Sequence, residues 1–425
     1  MRTFRQSLAV GAVVVFLAVG LGAQHDQSEI SGFPSARPEA VGISSERLAR
    51  IGEVLAREIA EDRMPGAVVA VARRGQLVYF EVFGYLDREA GTPMRKDAVF
   101  AIASMTKPIV SVAAMQLMEE GRMLMNMPVS TYLPELAGRA VATDSPGART
   151  ESAVRQPNVQ DLMRHTSGWV SPGRGTSALH DRYPTSRSSH GPEDYLAKLA
   201  DLPLRYQPGT TFEYGPGFDI VGLAIERITG QSMQAYLDAR VFGPLGMRDT
   251  RFVLSPEQVA RQAQLLPVDP VTGDAQTTRD QSQPLPFECG GGCLASTAAD
   301  YLTFAQMLLN GGTFGSTRVL GPKTVEYMTS DATGPDVDLS RLDLMASMPA
   351  YGYGYGLGVA VRRGDGLGGT PGSAGSYMWG GAQGTYFWVD PEEELVVVHM
   401  AQTPGTIRGY YRQLLPALVY QAIVE

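Results

Sequence analysis

The stretch Val99-Phe100-Ala101-Ile102-Ala103-Ser104-Met105-Thr106-Lys107-Pro108 decides how the chain is read. An apolar run, 99–103, passes directly into a helical pattern, with Ile109, Val112, Ala113 and Leu117 at spacings of three and four before Glu120. Proline is best tolerated near a helix start, which puts that start at about Ala103 or Ser104. Ser104 and Lys107 are three apart and so share one face of the first turn. A hydroxyl is a weak nucleophile unless a base takes its proton and the resulting charge is stabilised. An amine one turn along, over the positive end of a helix dipole, addresses both needs. Serine three residues before lysine also arises by chance, so the pair needs partners elsewhere.

The surroundings bound what those partners can be. With 425 residues, the chain can bury a substantial core in one large or two modest domains. A net charge of -8 argues against nucleic acid and against affinity for a membrane surface. Residues 1–23 read as a secretory signal peptide: Arg2 and Arg5 give a positive start, Leu8 to Leu21 is apolar, and Gly22-Ala23 offers small residues for cleavage. The apolar run is short for a transmembrane helix, so the mature protein is expected to be secreted or periplasmic, with no membrane association. Residues 24–40 are polar, with Pro34 and Pro38, and read as a linker. The two cysteines, Cys289 and Cys293, bracket three glycines. They allow a local disulfide or two free thiols and, with no histidine nearby, make a poor zinc site. His25, His180, His190 and His399 are scattered, and no metal or cofactor is expected.

In chain order, a helix from Ser44-Ser45-Glu46 to about Glu61 precedes two strands, 66–72 and 76–85, joined at Arg73-Arg74-Gly75. The middle reads as mostly helical: 159–164, Asp219 to Thr229, Met233 to Phe242 and Thr297 to Leu309. Residues 171–191 have no periodicity, as in a lid or pocket wall. The end reads as antiparallel sheet: 355–361, 376–381, 385–389 and 395–401, then a helix from Ile407 to Val424 kinked at Pro416. The layout predicts an α+β fold, with an antiparallel sheet built from both chain ends, flanked by helices, and a mostly helical insert. The expected division is a sheet subdomain at about 41–100 and 290–425 and a helical subdomain at about 101–289, together one domain over 41–425.

Three stretches occur in order: Ser104-Met105-Thr106-Lys107, Tyr214-Gly215-Pro216 and Trp379-Gly380-Gly381. Their pattern resembles the serine β-lactamase and penicillin-binding-protein superfamily, in particular its class C β-lactamase-like branch and the family VIII carboxylesterases. Arg164-His165-Thr166-Ser167-Gly168, Gly243-Pro244-Leu245-Gly246-Met247, Gly290-Gly291-Gly292 and Ser296-Thr297-Ala298-Ala299-Asp300 add to the resemblance, which spans about 40–425. It implies the β-lactamase/transpeptidase-like fold. It also implies Ser104 as acylated nucleophile, Lys107 as the amine that helps deprotonate it, and Tyr214 as the phenol that relays the proton. The oxyanion hole would be the N–H groups of Ser104 and Ala382, with Trp379, Gly380 and Gly381 on a strand lining the pocket. Chemistry is compatible: amine and phenol titrate near about 10.4 and 10 in water, and a buried site with positive neighbours can bring either into range as a base. Two glycines on an edge strand would let a substrate carbonyl approach the backbone.

Two departures bear on substrate. Relatives acting on β-lactams or D-Ala-D-Ala peptides usually start the third stretch with Lys or His, a cation that holds a carboxylate; here it is neutral Trp379. They also tend to carry Asn two residues after the tyrosine, where this chain has Pro216. Both changes weaken the case for β-lactam turnover and favour an apolar acyl group, hence an ester; the expected partner is a small-molecule ester or amide, with a short acyl chain. A D,D-peptidase or weak β-lactamase, an acyltransferase, and an inert relative that only binds cell-wall fragments are the competing readings. His165 reads as structural, and the absence of Gly-x-Ser-x-Gly removes the α/β-hydrolase alternative.

Overall fold

The computed structural model describes residues 30, 32–144, 147–170, 189–342 and 352–425. The segment read as a signal peptide and most of the 171–191 loop lie outside the described residues. Helix α1 (Arg50–Ala60) leads into strands β1 (Gly66–Arg73), β2 (Gln76–Asp87) and β3 (Thr92–Pro93). Arg74 and Gly75 both have positive φ, 51° and 70°, the geometry of a two-residue hairpin turn whose twist matches its strands. Helices α2 (Thr106–Glu119), α3 (Val159–Met163), α4 (Gly217–Thr229) and α5 (Ala298–Leu309) follow. Then come β4 (Tyr353–Tyr355), β5 (Ala360–Arg362), β6 (Tyr377–Gly380), β7 (Tyr386–Asp390), β8 (Leu395–Ala401) and α6 (Ile407–Tyr420).

The eight strands form one antiparallel sheet in the order β4-β5-β6-β7-β8-β1-β2-β3. The junction of the two chain ends is β8 against β1, from Ala67 opposite Ala401 to Arg73 opposite Leu395. All eight residues of β1 are buried, which requires cover on both faces. Helix α5 packs on β1, β7 and β8, while α1 packs on β2 and against α6. Among the described residues no helix is long and apolar enough to cross a membrane.

Three readings of the sequence change. The run 355–361 is not one strand but the hairpin β4–β5, reversing through Gly358, whose φ is +98°. The strand ending in Trp379-Gly380 is interior rather than an edge. It pairs with β7 along its length but with β5 only at Tyr377 and Met378, so on the β5 side the ladder stops before Trp379. Packed structure also begins inside the stretch read as a linker: Phe33 is buried, and Ala36 N–H donates to the Leu77 carbonyl at 3.0 Å.

The α2 stripe read from the sequence understates its burial. Every residue from Thr106 to Leu117 is buried, as for a helix surrounded by other elements. Ile109, Val110, Val112, Met115 and Leu117 each contribute about 1.5–3 kcal/mol on burial. That sum exceeds the several kcal/mol that burying an amine costs, so the helix can hold Lys107 in its first turn.

Candidate active site

Ser104 stands just ahead of α2 in a 3₁₀ turn, Ala103–Met105. Ala103 has φ +44°, a left-handed conformation that costs a non-glycine residue about 1 kcal/mol or more and needs surrounding structure to enforce it. The enforcement comes from the chain after the cysteines. Phe100–Ala101 pairs with Ala295–Ser296, Ile102 N–H donates to the Leu294 carbonyl at 3.1 Å, and Tyr301 OH donates to the Met105 carbonyl at 2.9 Å. The serine turn and residues 289–301 form one hydrogen-bonded unit.

Lys107 Nζ lies 3.2 Å from Ser104 Oγ and also donates to the Gly291 carbonyl. Lys107 is 2% exposed, and its Nζ sits 4.6 Å from the centre of the Tyr214 ring, over the face of the phenol. Gly291 N–H in turn donates to Asp219 Oδ1 at 2.7 Å, which ties the glycine loop to the first turn of α4. A Cβ on Gly290 would fall 2.3 Å from the Phe218 carbonyl oxygen, so the loop approaches α4 more closely than any side chain allows. Cys289 and Cys293 form a disulfide across this loop.

Tyr214 OH donates to Ser104 Oγ at 2.8 Å. Residues 209–215 run alongside 165–169. Gly209 N–H donates to the Thr166 carbonyl at 2.7 Å and Glu213 N–H to the His165 carbonyl at 2.8 Å. A Cβ on Gly215 would lie 2.5 Å from the Trp169 carbonyl oxygen. The His165 ring packs against the Tyr214 ring at 4.3 Å between centroids, and Trp379 stacks on Tyr214 at 5.8 Å. His165 therefore supports the tyrosine as part of its packing. Pro216 caps α4, its carbonyl accepting from Asp219 N–H at 2.9 Å.

Trp379 is buried on β6, edge-on to Tyr355 at 5.1 Å. Both following glycines lie at close approaches, and at Gly381 one neighbour is backbone. A Cβ on Gly380 would lie 2.4 Å from Arg412 Nη2, and one on Gly381 2.4 Å from the Ile102 carbonyl oxygen. The end of β6 thus meets the backbone two residues before Ser104. Ala382 is exposed in the turn that follows. The structure brings Ser104, Lys107 and Tyr214 within hydrogen-bonding distance and sets the Trp379–Gly381 strand against them.

Sequence reasoning missed three contributors: the Gly291 carbonyl on Lys107, the His165 ring on Tyr214, and Arg412, whose Nη2 donates to the Gly381 carbonyl at 2.8 Å. The first two fell in stretches already singled out, so proximity could have been suspected; Arg412 had no such signal. Among the described residues no cluster of His, Cys, Asp and Glu could hold a metal ion.

Comparison with known proteins agrees with this geometry. Residues 51–415 match the Beta-lactamase family. Protein Rv1367c of Mycobacterium tuberculosis is 36% identical over 353 residues, spanning 80% of this chain and 86% of that protein. Esterase EstB of Burkholderia gladioli is 32% identical over 384 residues, spanning 87% of this chain and 94% of the esterase. Among solved structures, EstCE1, described as a hydrolase with promiscuous acyltransferase activity, superposes with a TM-score of 0.72 at 25% identity, covering 88% of this chain and 99% of EstCE1. With a serine, an amine and a phenol converging beside a glycine-ended strand, and with an esterase among its relatives, the chain belongs to the Beta-lactamase family and is a serine hydrolase on the β-lactamase/transpeptidase-like fold.

Proposed function

We propose that the protein is an exported carboxylesterase that cleaves small esters with short acyl chains through an acyl-enzyme on Ser104. One observation carries the reading: Ser104 Oγ lies 3.2 Å from Lys107 Nζ and 2.8 Å from Tyr214 OH, so a proton can leave the hydroxyl without a histidine. In this scheme the Lys107–Tyr214 pair takes the Ser104 proton as Oγ attacks the ester carbonyl. Tyr214 then returns a proton to the departing alkoxide. Water repeats the sequence in reverse to free the acid. The N–H groups of Ser104 and Ala382 stabilise the oxyanion. Trp379 and Pro216, in place of a cation and an amide, leave the pocket better suited to an uncharged acyl group than to a β-lactam or D-Ala-D-Ala peptide. Export is supported by the Arg2, Arg5 and Leu8–Leu21 pattern and by the Cys289–Cys293 disulfide, which suits an oxidising compartment.

Hydrolysis of p-nitrophenyl butyrate by wild type and Ser104→Ala is the direct test, with an expected loss of about a thousandfold or more in kcat/KM. A variant that retains activity sinks the assignment. Penicillin capture at Ser104 with little ester turnover would favour the cell-wall reading instead. Amino-terminal sequencing of exported protein tests cleavage near Ala23. Acyl transfer as a side reaction is supported by the likeness to EstCE1, a hydrolase with promiscuous acyltransferase activity, and added alcohol should then divert acyl groups from acid to new ester.

A further inference from the structure

Helix α6 carries a charged group into the interior at the end of β6. Arg412 is 8% exposed, and no carboxylate pairs with it among the described residues. Leaving a guanidinium out of water without a counter-charge is unfavourable for stability. What it touches instead is backbone. Nη2 donates to the Gly381 carbonyl at 2.8 Å, and the guanidinium lies so close to Gly380 that a Cβ there would fall 2.6 Å from Cζ. Its Nε finds no hydrogen-bond partner among the described residues. The Gly381 carbonyl accepts a second bond, from Gly384 N–H at 3.1 Å. This peptide unit is shared with the next residue: its oxygen belongs to Gly381 and its N–H to Ala382. In a trans peptide the two point in opposite directions. A carbonyl drawn inward to Arg412 therefore turns the Ala382 N–H outward, on an exposed residue beside the serine turn.

We infer that Arg412 is a positioning residue for the oxyanion hole, which fixes the Gly381–Ala382 peptide plane and polarises it so that the Ala382 N–H becomes a stronger donor. A charge-assisted bond to one end of an amide shifts electron density towards the oxygen and strengthens donation at the other end. The cation is thus put to use at one peptide's distance from the reacting carbonyl, where negative charge develops, without touching substrate. Burial, and then repulsion from Arg408, lower the Arg412 guanidinium to about 10, with Tyr386 and Tyr214 acting in the opposite direction; it remains charged at neutral pH. The inference rests on the reading of Ala382 as an oxyanion donor.

The test compares Arg412→Met, Arg412→Gln and Arg412→Lys with wild type and Ser104→Ala on p-nitrophenyl butyrate, with the carbonyl stretch of a carbon-13-labelled acyl-enzyme as second readout. For Arg412→Met the expected result is a fall in kcat of about ten- to a hundredfold with KM changed by no more than about threefold. The acyl carbonyl band should move to higher wavenumber, because a weaker donor polarises it less. Arg412→Lys, which keeps the charge, should lie between Met and wild type in both readouts. Should Arg412→Met fail to fold, Gln against Lys decides: a Lys variant more active than Gln supports the inference, and equal activities overturn it. An Arg412→Met enzyme within about twofold of wild-type kcat, or one with an unmoved carbonyl band, also overturns it. Loss of activity in Ser104→Ala combined with an indifferent Arg412→Met would retire this inference alone. Retained activity in Ser104→Ala would retire the esterase reading beneath it.

Discussion

Tyr214 separates support from chemistry within one side chain. Its ring is packed between His165 at 4.3 Å and Trp379 at 5.8 Å, while its hydroxyl donates to Ser104 Oγ at 2.8 Å. Tyr214→Phe should leave the packing intact and remove only the hydroxyl that donates to Ser104, which the proposed mechanism uses for proton transfer. We expect kcat for p-nitrophenyl butyrate to fall by about a hundredfold or more, with the melting temperature nearly unchanged; steady-state kinetics beside a thermal melt check both halves. A Phe variant of near-native activity would leave Lys107 as the sole base. At this scale Ser104 and Lys107 were legible, because residues three apart at a helix start face the same way whatever the rest of the chain does. Tyr214 needed the resemblance, since nothing local announces a contact across 110 positions. Gly291 and Arg412 act through a backbone carbonyl or on one, and such contacts leave no trace in side-chain patterns.

Among the elements, the glycine loop between Cys289 and Cys293 has the most to lose. It bonds Lys107 through the Gly291 carbonyl and Asp219 through the Gly291 N–H, and it leaves no room for a Cβ at Gly290. Gly290→Ala pushes a methyl group against the Phe218 carbonyl on α4, which cannot move without its helix. Overpacking of this kind costs about 1–3 kcal/mol, to be read by urea unfolding, and the loop shift should also lower kcat. Cys289→Ser with Cys293→Ser opens a very short loop, for which chain entropy gives roughly 2 kcal/mol of destabilisation. A double variant with native stability and native kcat would show that the glycines hold the loop unaided. Helix α2 and the β1–β2 hairpin were readable because their periods and turn residues are local. The β4–β5 hairpin was not: Tyr355 to Val361 is apolar almost throughout, and the reversal depends on the positive φ of Gly358. Whether β6 is an edge depends on how far β5 reaches along it, which no window of sequence encodes.

Across the molecule, two buried groups set opposing pH dependences. Burial lifts Asp300 from 3.8 to about 7, and burial followed by the Arg412 charge lowers His399 from 6.5 to about 4. Folded Asp300 holds a proton that the unfolded chain releases, so its contribution is full below its unfolded value and is lost as pH rises through about 7. Folded His399 stays neutral while the unfolded imidazole takes up a proton. Its contribution is full above 6.5 and is lost as pH falls through about 4. Between those limits the two slopes oppose each other. Asp300→Asn keeps an oxygen for Thr250 Oγ1 and Asp249 N–H but no longer titrates, so unfolding free energy should climb more steeply with pH than in wild type. Urea titrations at about pH 4.5 and 6.5 separate the two cases, and equal slopes would show that Asp300 is ionised throughout. The assembly of one sheet from both chain ends was visible in the order of patterns, because strands at 66–87 and 353–401 flank a helical middle. The register that joins them at Ala67 and Ala401 was not, because pairing over such a separation is settled only by packing.

The stack of Trp379 on Tyr214 also makes the protein its own optical sensor. The chain has three tryptophans, and the other two are engaged elsewhere: Trp169 Nε1 donates to the Leu199 carbonyl, and Trp388 stacks on Tyr420. With both replaced by Phe, the remaining indole emission comes from a ring in contact with the Ser104 partner. An intensity or wavelength change in step with acylation would allow single turnovers to be followed on unlabelled enzyme with colourless esters.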